Sequence, residues 1–182
     1  AARRGRHAVA PEDVSADSPI IKKLDMAYRQ ALNATADILG VELERIEVSV
    51  DATTLDHDIT VKAGVIAAGT VVGQRFSWVG HWSGRALLAI HEEWILTRDL
   101  PQWGLRPLEP NQKAPLIRAV ISGNPSFELQ LDVGGEDAAP GAGTTMPGHL
   151  MIAMSAVRAI PYVLAQPPGI VVAPVFGAIP LT

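Results

Sequence analysis

Residues 18–51 read SPIIKKLDMAYRQALNATADILGVELERIEVSVD, and a change of period inside this stretch decides the fold. Ser18-Pro19 opens a helix, because the hydroxyl can accept a first-turn N–H and proline lacks only a donor that has no partner there. Ile20, Ile21, Leu24, Tyr28, Ala31, Leu32, Thr35, Ile38 and Leu39 recur at helical spacing until Gly40 stops them. From Leu43 the period falls to two: Ile46, Val48 and Val50 alternate with Glu47, Ser49 and Asp51, as in a half-buried strand. An amphipathic helix lying on a sheet is the expectation.

Downstream, Ile59 to Ile66 reads as a second strand, followed by a turn at Ala67-Ala68-Gly69. Val71 to Val79 is a third, with Val72, Phe76 and Trp78 on one face and Arg75 and Ser77 on the other. Gly80-His81-Trp82-Ser83-Gly84 is expected to connect it to a long strand, Arg85 to Thr97, with both faces covered. Leu100 to Pro115 is a proline-rich loop holding Trp103. Leu116 to Ser122 and Phe127 to Val133 form a hairpin around Gly123-Asn124-Pro125, and an apolar helix lies toward the C-terminus. Helix, run of strands, loop, strand pair, helix is the order of an α+β fold: a largely antiparallel open sheet with helices on one face.

Composition narrows the function. The 182 residues, 48% hydrophobic and 19% charged, suit a folded domain. A net charge of −4 gives no electrostatic reason to expect nucleic acid or an anionic membrane as partner. The absence of cysteine excludes disulfides, thiolate metal sites and a cysteine nucleophile, and leans toward the cytoplasm. Leu150 to Leu164, the most apolar run, falls short of the roughly 20 residues a membrane-spanning helix needs. Residues 1–17 read as a loose linker and 18–182 as one domain. The opening Ala1-Ala2-Arg3-Arg4-Gly5-Arg6-His7 has no initiator methionine and no hydrophobic run after it, as expected of a chain cut from a longer one.

The C-terminal stretch begins with Gly134-Gly135 and Gly141-Ala142-Gly143, then Thr144-Thr145-Met146-Pro147-Gly148-His149. Thr144 and Thr145 suit a helix cap, Pro147 a first turn, Pro161 a kink and Pro167-Pro168-Gly169 a stop. Ala159-Ile160-Pro161-Tyr162-Val163 followed by Pro167-Pro168-Gly169-Ile170 resembles the end of the dihydrodipicolinate reductase-like NAD(P)H-dependent oxidoreductases, the group of 2,4-diaminopentanoate dehydrogenase and the native amine dehydrogenases. Asp58 to Val71, DITVKAGVIAAGTV, is similar to a strand pair of the same family.

The resemblance covers most of this chain but only the second half of the family's protein. It implies an open sheet backed by helices, a dinucleotide-binding half outside these residues, NAD(P)H as cofactor of the full-length protein, and a homo-oligomer formed through the sheet. The implied reaction joins a carbonyl compound and ammonia into an amine by hydride transfer to an imine, with this chain silent by itself. It also implies that the start of the last helix approaches nicotinamide and substrate, which makes Thr144, Thr145 and His149 substrate-binding candidates. Arg158 stands where the family commonly has asparagine. No His-His-x-x-Lys substrate motif occurs, which disfavours dihydrodipicolinate as substrate.

Each candidate has a plainer counterpart. The glycine run can hold an anion at a helix start, or be a surface loop, since Gly141, Gly143 and Gly148 do not give the dinucleotide spacing. Glu92, among Leu88, Ile90, Trp94 and Leu96, is either a desolvated acid–base group or, more plainly, a residue near a sheet edge or a partner of Arg75 or Arg85. Asp56-His57-Asp58 suits a solvated turn better than a metal site, and no histidine pair has metal-ligand spacing. Trp82 and Trp103, on connections, are pocket or interface candidates, whereas Trp78 and Trp94 suit core or interface packing. No catalytic residue is assigned. The competing readings are a stand-alone α+β module that binds a small ligand or self-associates, and an enzyme built on Glu92 and a histidine.

Overall fold

The computed structural model describes residues 10–61, 64–103, 105, 116–132 and 147–171. It is an α+β protein whose strand pairs are antiparallel. The chain divides into two compact units, Ala1–Pro107 and Leu108–Thr182.

The first unit holds α1 (Pro19–Ile38), β1 (Arg45–Thr54), β2 (Ile59–Val61), β3 (Gly64–Ile66), β4 (Val71–Trp82) and β5 (Arg85–Ile95). Ser18 caps α1 by accepting the Ile21 N–H at 3.4 Å, and Pro19 takes the first position. At the far end Gly40, with φ of 70°, donates to Asp37 while Val41 reaches back to Ala36. These two bonds form the Schellman motif, which places a glycine where an L side chain is strained.

β4 is the centre of a three-stranded sheet ordered β1-β4-β5. Val48 faces Trp78 and Trp78 faces Ile90 across the two ladders, so one face is apolar on all three strands. α1 lies on that face. Ile21 and Leu32 join Phe76 and Trp78 in the buried core, with Leu24, Tyr28, Leu43, Ile46, Val48, Val50, Leu88 and Ile90 around them. Complete burial of the Phe76 and Trp78 side chains is worth about 1.5–3 kcal/mol each.

Three expectations about the strands need correction. Ile59 to Ile66 is a small hairpin, β2 pairing β3, rather than one strand, with Gly64 at φ 130°. The Gly80–Gly84 connection is shorter than its composition suggests. β4 continues through Trp82, and only Ser83 and Gly84, at φ 52° and 72°, make the turn. Two positive φ values match the right-handed twist of the flanking strands, which favours so tight a hairpin. Gly80 stays in the ladder, opposite Ile46 and Leu88, and a Cβ there would lie 2.7 Å from the Leu43 Cδ1. Finally, β5 is covered on the α1 side only, since Ala89, His91 and Glu93 are exposed.

The second unit contains β6 (Leu116–Ile121) paired with β7 (Phe127–Asp132), and α2 (Pro147–Leu164). The hairpin forms around Gly123 to Pro125 as its sequence leads one to expect. Phe127, Leu129 and Leu131 stand opposite Ile121, Ala119 and Ile117, giving one apolar face that is exposed among the described residues. α2 starts at Pro147, runs through Pro161 and ends before Pro167-Pro168-Gly169. No helix among the described residues is long and apolar enough to cross a membrane.

Candidate functional site

Strand alternation turns a second set of side chains away from α1. β1 contributes Arg45, Glu47, Ser49, Asp51 and Thr53; β4 contributes Gly73, Arg75, Ser77, Val79 and His81. Ala89, His91, Glu93 and Ile95 follow on β5. Polar cross-strand rows result, and the sequence signal for them was the alternation of polar residues opposite each apolar one.

In one row Ser77 Oγ lies 2.8 Å from His91 Nδ1, with Ser49 opposite Ser77 on the other side. Ser77 is buried while His91 is exposed. A nucleophile must reach its substrate, so the buried hydroxyl serves to orient the imidazole. In the next row the Arg75 guanidinium meets the Glu93 carboxylate at 2.7 and 2.8 Å. The same guanidinium lies 4.7 Å from the centre of the Trp103 ring and donates to the Trp103 carbonyl at 3.3 Å.

Trp103 ends the 3-10 turn Pro101–Trp103, which straps this end of the sheet. Gln102 donates to the Thr53 hydroxyl. Leu100 is 1% exposed. A Cβ on Gly73 would stand 3.0 Å from both the Thr53 Cγ2 and the Trp103 Cζ3, and 3.1 Å from the Leu100 Cδ1. The strap therefore rests where the sheet has no side chain. A shallow cleft of about 260 Å³ opens beside it, lined by Val71 to Gln74 and Trp94 to Leu96.

The structure does not bring the tryptophan candidates together. Trp103 packs at Gly73 and Trp82 ends the same strand, nine positions and roughly 30 Å away at strand rise. Trp82 instead has the Arg85 guanidinium 5.9 Å from its ring centre. His149 is exposed near the start of α2, in the other unit. Thr144, Thr145 and the glycine run lie outside the described residues. Arg158 is exposed on α2.

Glu92 faces α1, and neither Arg75 nor Arg85 is its partner. Tyr28 donates to it at 2.6 Å and the Trp94 indole N–H at 2.9 Å. Burial, and then the hydrogen bond to and charge of Glu92, push the Tyr28 phenol well above its ordinary range. Beside it, Trp78 donates to Asp25 at 3.0 Å, and Asp25 is also held by Arg29 at 2.8 Å. This network ties helix to sheet. Asp56 is hydrogen-bonded to His57 at 2.8 Å, which lowers the carboxyl below its usual range, while Asp58 accepts the Ala68 N–H. Asp58 is thus engaged in a turn, and no group of three or more metal-ligating side chains gathers among the described residues.

No protein-family model matches this chain, and no curated protein matches it.

Proposed function

We propose that this chain is the substrate-side domain of an NAD(P)H-dependent oxidoreductase of the amine dehydrogenase type. What supports the proposal is that a chain with the two family-like stretches of sequence also has, in its first unit, an antiparallel sheet backed by a helix, in keeping with the architecture that the resemblance implies. The reaction would unite a small carbonyl compound with ammonia and reduce the imine by hydride.

The residues described do not fit NAD(P)H itself. Every strand pair among them is antiparallel, so they contain no βαβ unit, and the sequence has no G-x-G-x-x-G fingerprint. The dinucleotide would be held by another domain, and this chain would close over the substrate and exclude water, in which an imine hydrolyses. Thr144, Thr145 and His149 remain the candidates for substrate contact. The open sheet face, with Arg75, His91 and Glu93, would carry the homo-oligomer contact, and we place the enzyme in the cytoplasm.

The test is the in-frame coding sequence upstream of residue 1, followed by an assay of the longer protein. The expected result is about 150 residues carrying the fingerprint, and NAD(P)H oxidation that requires both ammonia and a carbonyl compound. A longer protein that has no fingerprint, or that consumes no NAD(P)H under those conditions, overturns the proposal.

The exposed apolar face of Phe127, Leu129 and Leu131 favours a second reading, a self-associating or ligand-binding module without catalysis. That reading predicts stable oligomers or ligand complexes of these 182 residues by themselves.

A further inference from the structure

At the Trp82 end of β4, His81 sits between two charged residues of β1. Arg45 Nη2 lies 3.1 Å from His81 Nδ1. A guanidinium has donors only, so this contact requires an unprotonated Nδ1 and puts the ring proton on Nε2. That Nε2 is sealed from solvent and has no hydrogen-bond partner among the described residues. The Glu47 carboxylate stands 3.3 Å from it, near enough for an ion pair but without hydrogen-bond alignment. The imidazole is 12% exposed and Glu47 65% exposed, so the ring is fixed while the carboxylate is free to adjust.

We propose that His81 exchanges partners with pH: neutral, it holds Arg45, and protonated, it releases Arg45 and takes Glu47. A proton from water adds to the Nδ1 lone pair, and the ring then meets Arg45 with a donor against a donor and a cation against a cation. The same proton gives Glu47 an imidazolium to bind. Two other charged groups near this end have contacts of their own. Glu44 accepts the Gly84 N–H through its carboxylate, and Arg85 lies against the Trp82 ring. On β5, Ala86 faces His81 and brings no charge.

His91 supplies the internal contrast. Its Nδ1 meets the Ser77 hydroxyl, which can donate or accept and so tolerates either state of the ring. Of the two histidines on this face, only His81 is held by a group that cannot reverse.

The experiment is nitrogen NMR of the histidine rings and arginine guanidinium groups of the intact chain, followed as the pH is lowered from about 8 to about 5. At the higher pH His81 should carry its proton on Nε2 alone. Arg45 N–H protection, relative to exposed Arg158 at the same pH, should fall about tenfold at the lower pH, as for loss of one charge-assisted hydrogen bond. In Arg45→Gln the amide can turn to accept, so the contact to the ring should persist at both pH values, and His91→Gln should leave the Arg45 response unchanged. A proton on Nδ1 at the higher pH overturns the proposal. So does Arg45 protection that does not change with pH, or that changes equally in His81→Gln. The wild-type spectra alone suffice should that variant fail to fold.

Discussion

Tyr28 and Glu92 stand 64 positions apart in sequence and meet at 2.6 Å, phenol to carboxylate, across the junction of helix and sheet. Folding brings a hydroxyl and an anion into a partly covered site where each satisfies the other. The phenol then holds its proton more tightly than it does in the unfolded chain, where it ionises near pH 10. Above about pH 10 the unfolded state loses a proton that the folded state keeps, so stability falls as pH rises through that range. Tyr28→Phe should lower the melting temperature at pH 8 and flatten its decline toward about pH 10.5. An equally steep decline in the variant would show that the pair does not set the alkaline limit.

Trp78 has a second role beyond filling the core. Its indole N–H donates to Asp25, so Trp78→Phe removes a bond to a charged acceptor as well as volume. The expected loss is about 1–3 kcal/mol in urea unfolding. Asp25→Asn in the same background should add less than it does alone, because the two share one contact.

Gly80 and Leu43 form a fitted pair. Gly80→Ala would set a Cβ 2.7 Å from the Leu43 Cδ1 and should cost about 1–3 kcal/mol. The double variant Gly80→Ala with Leu43→Ala should lose less than the sum of the two single changes. Simple additivity would mean that the strain lies elsewhere.

The caps of α1 are separable from its packing. Ser18→Ala should cost about 1 kcal/mol, and Gly40→Ala about 1–2 kcal/mol because φ of 70° is strained for an L side chain. Chemical denaturation of both variants with unchanged slope is the check.

The sequence was legible where one residue's neighbours along the chain decide its state. The periods of 3.6 and two located α1 and β1, and Ser18 and Gly40 marked the helix ends almost to the residue. Turn length was harder to read. Gly80 looked like loop because glycine usually signals freedom, whereas here it answers a close approach by Leu43 that no local pattern reveals. Glu92 showed itself as an unusual carboxylate and does lie on β5, an edge strand, as one plain reading of it held, but its partners came from α1 and from its own strand and not from Arg75 or Arg85. Trp82 and Trp103 illustrate the limit best. Both look like residues of connections, yet Trp82 ends β4 while Trp103 sits on a turn beyond β5, and their distance depends on where the chain folds back after Ile95.

Gly73 lies at that return. Three segments converge on its α-hydrogen: β1 through Thr53, the approach to the strap through Leu100, and the strap itself through Trp103. Trp103 in turn covers Arg75, whose charge is balanced by Glu93. One methyl group added at that α-carbon would therefore be felt as far as an ion pair two strand positions away. This corner can be rebuilt as a whole or left alone, and piecemeal variation at any one of its side chains is constrained by the other two.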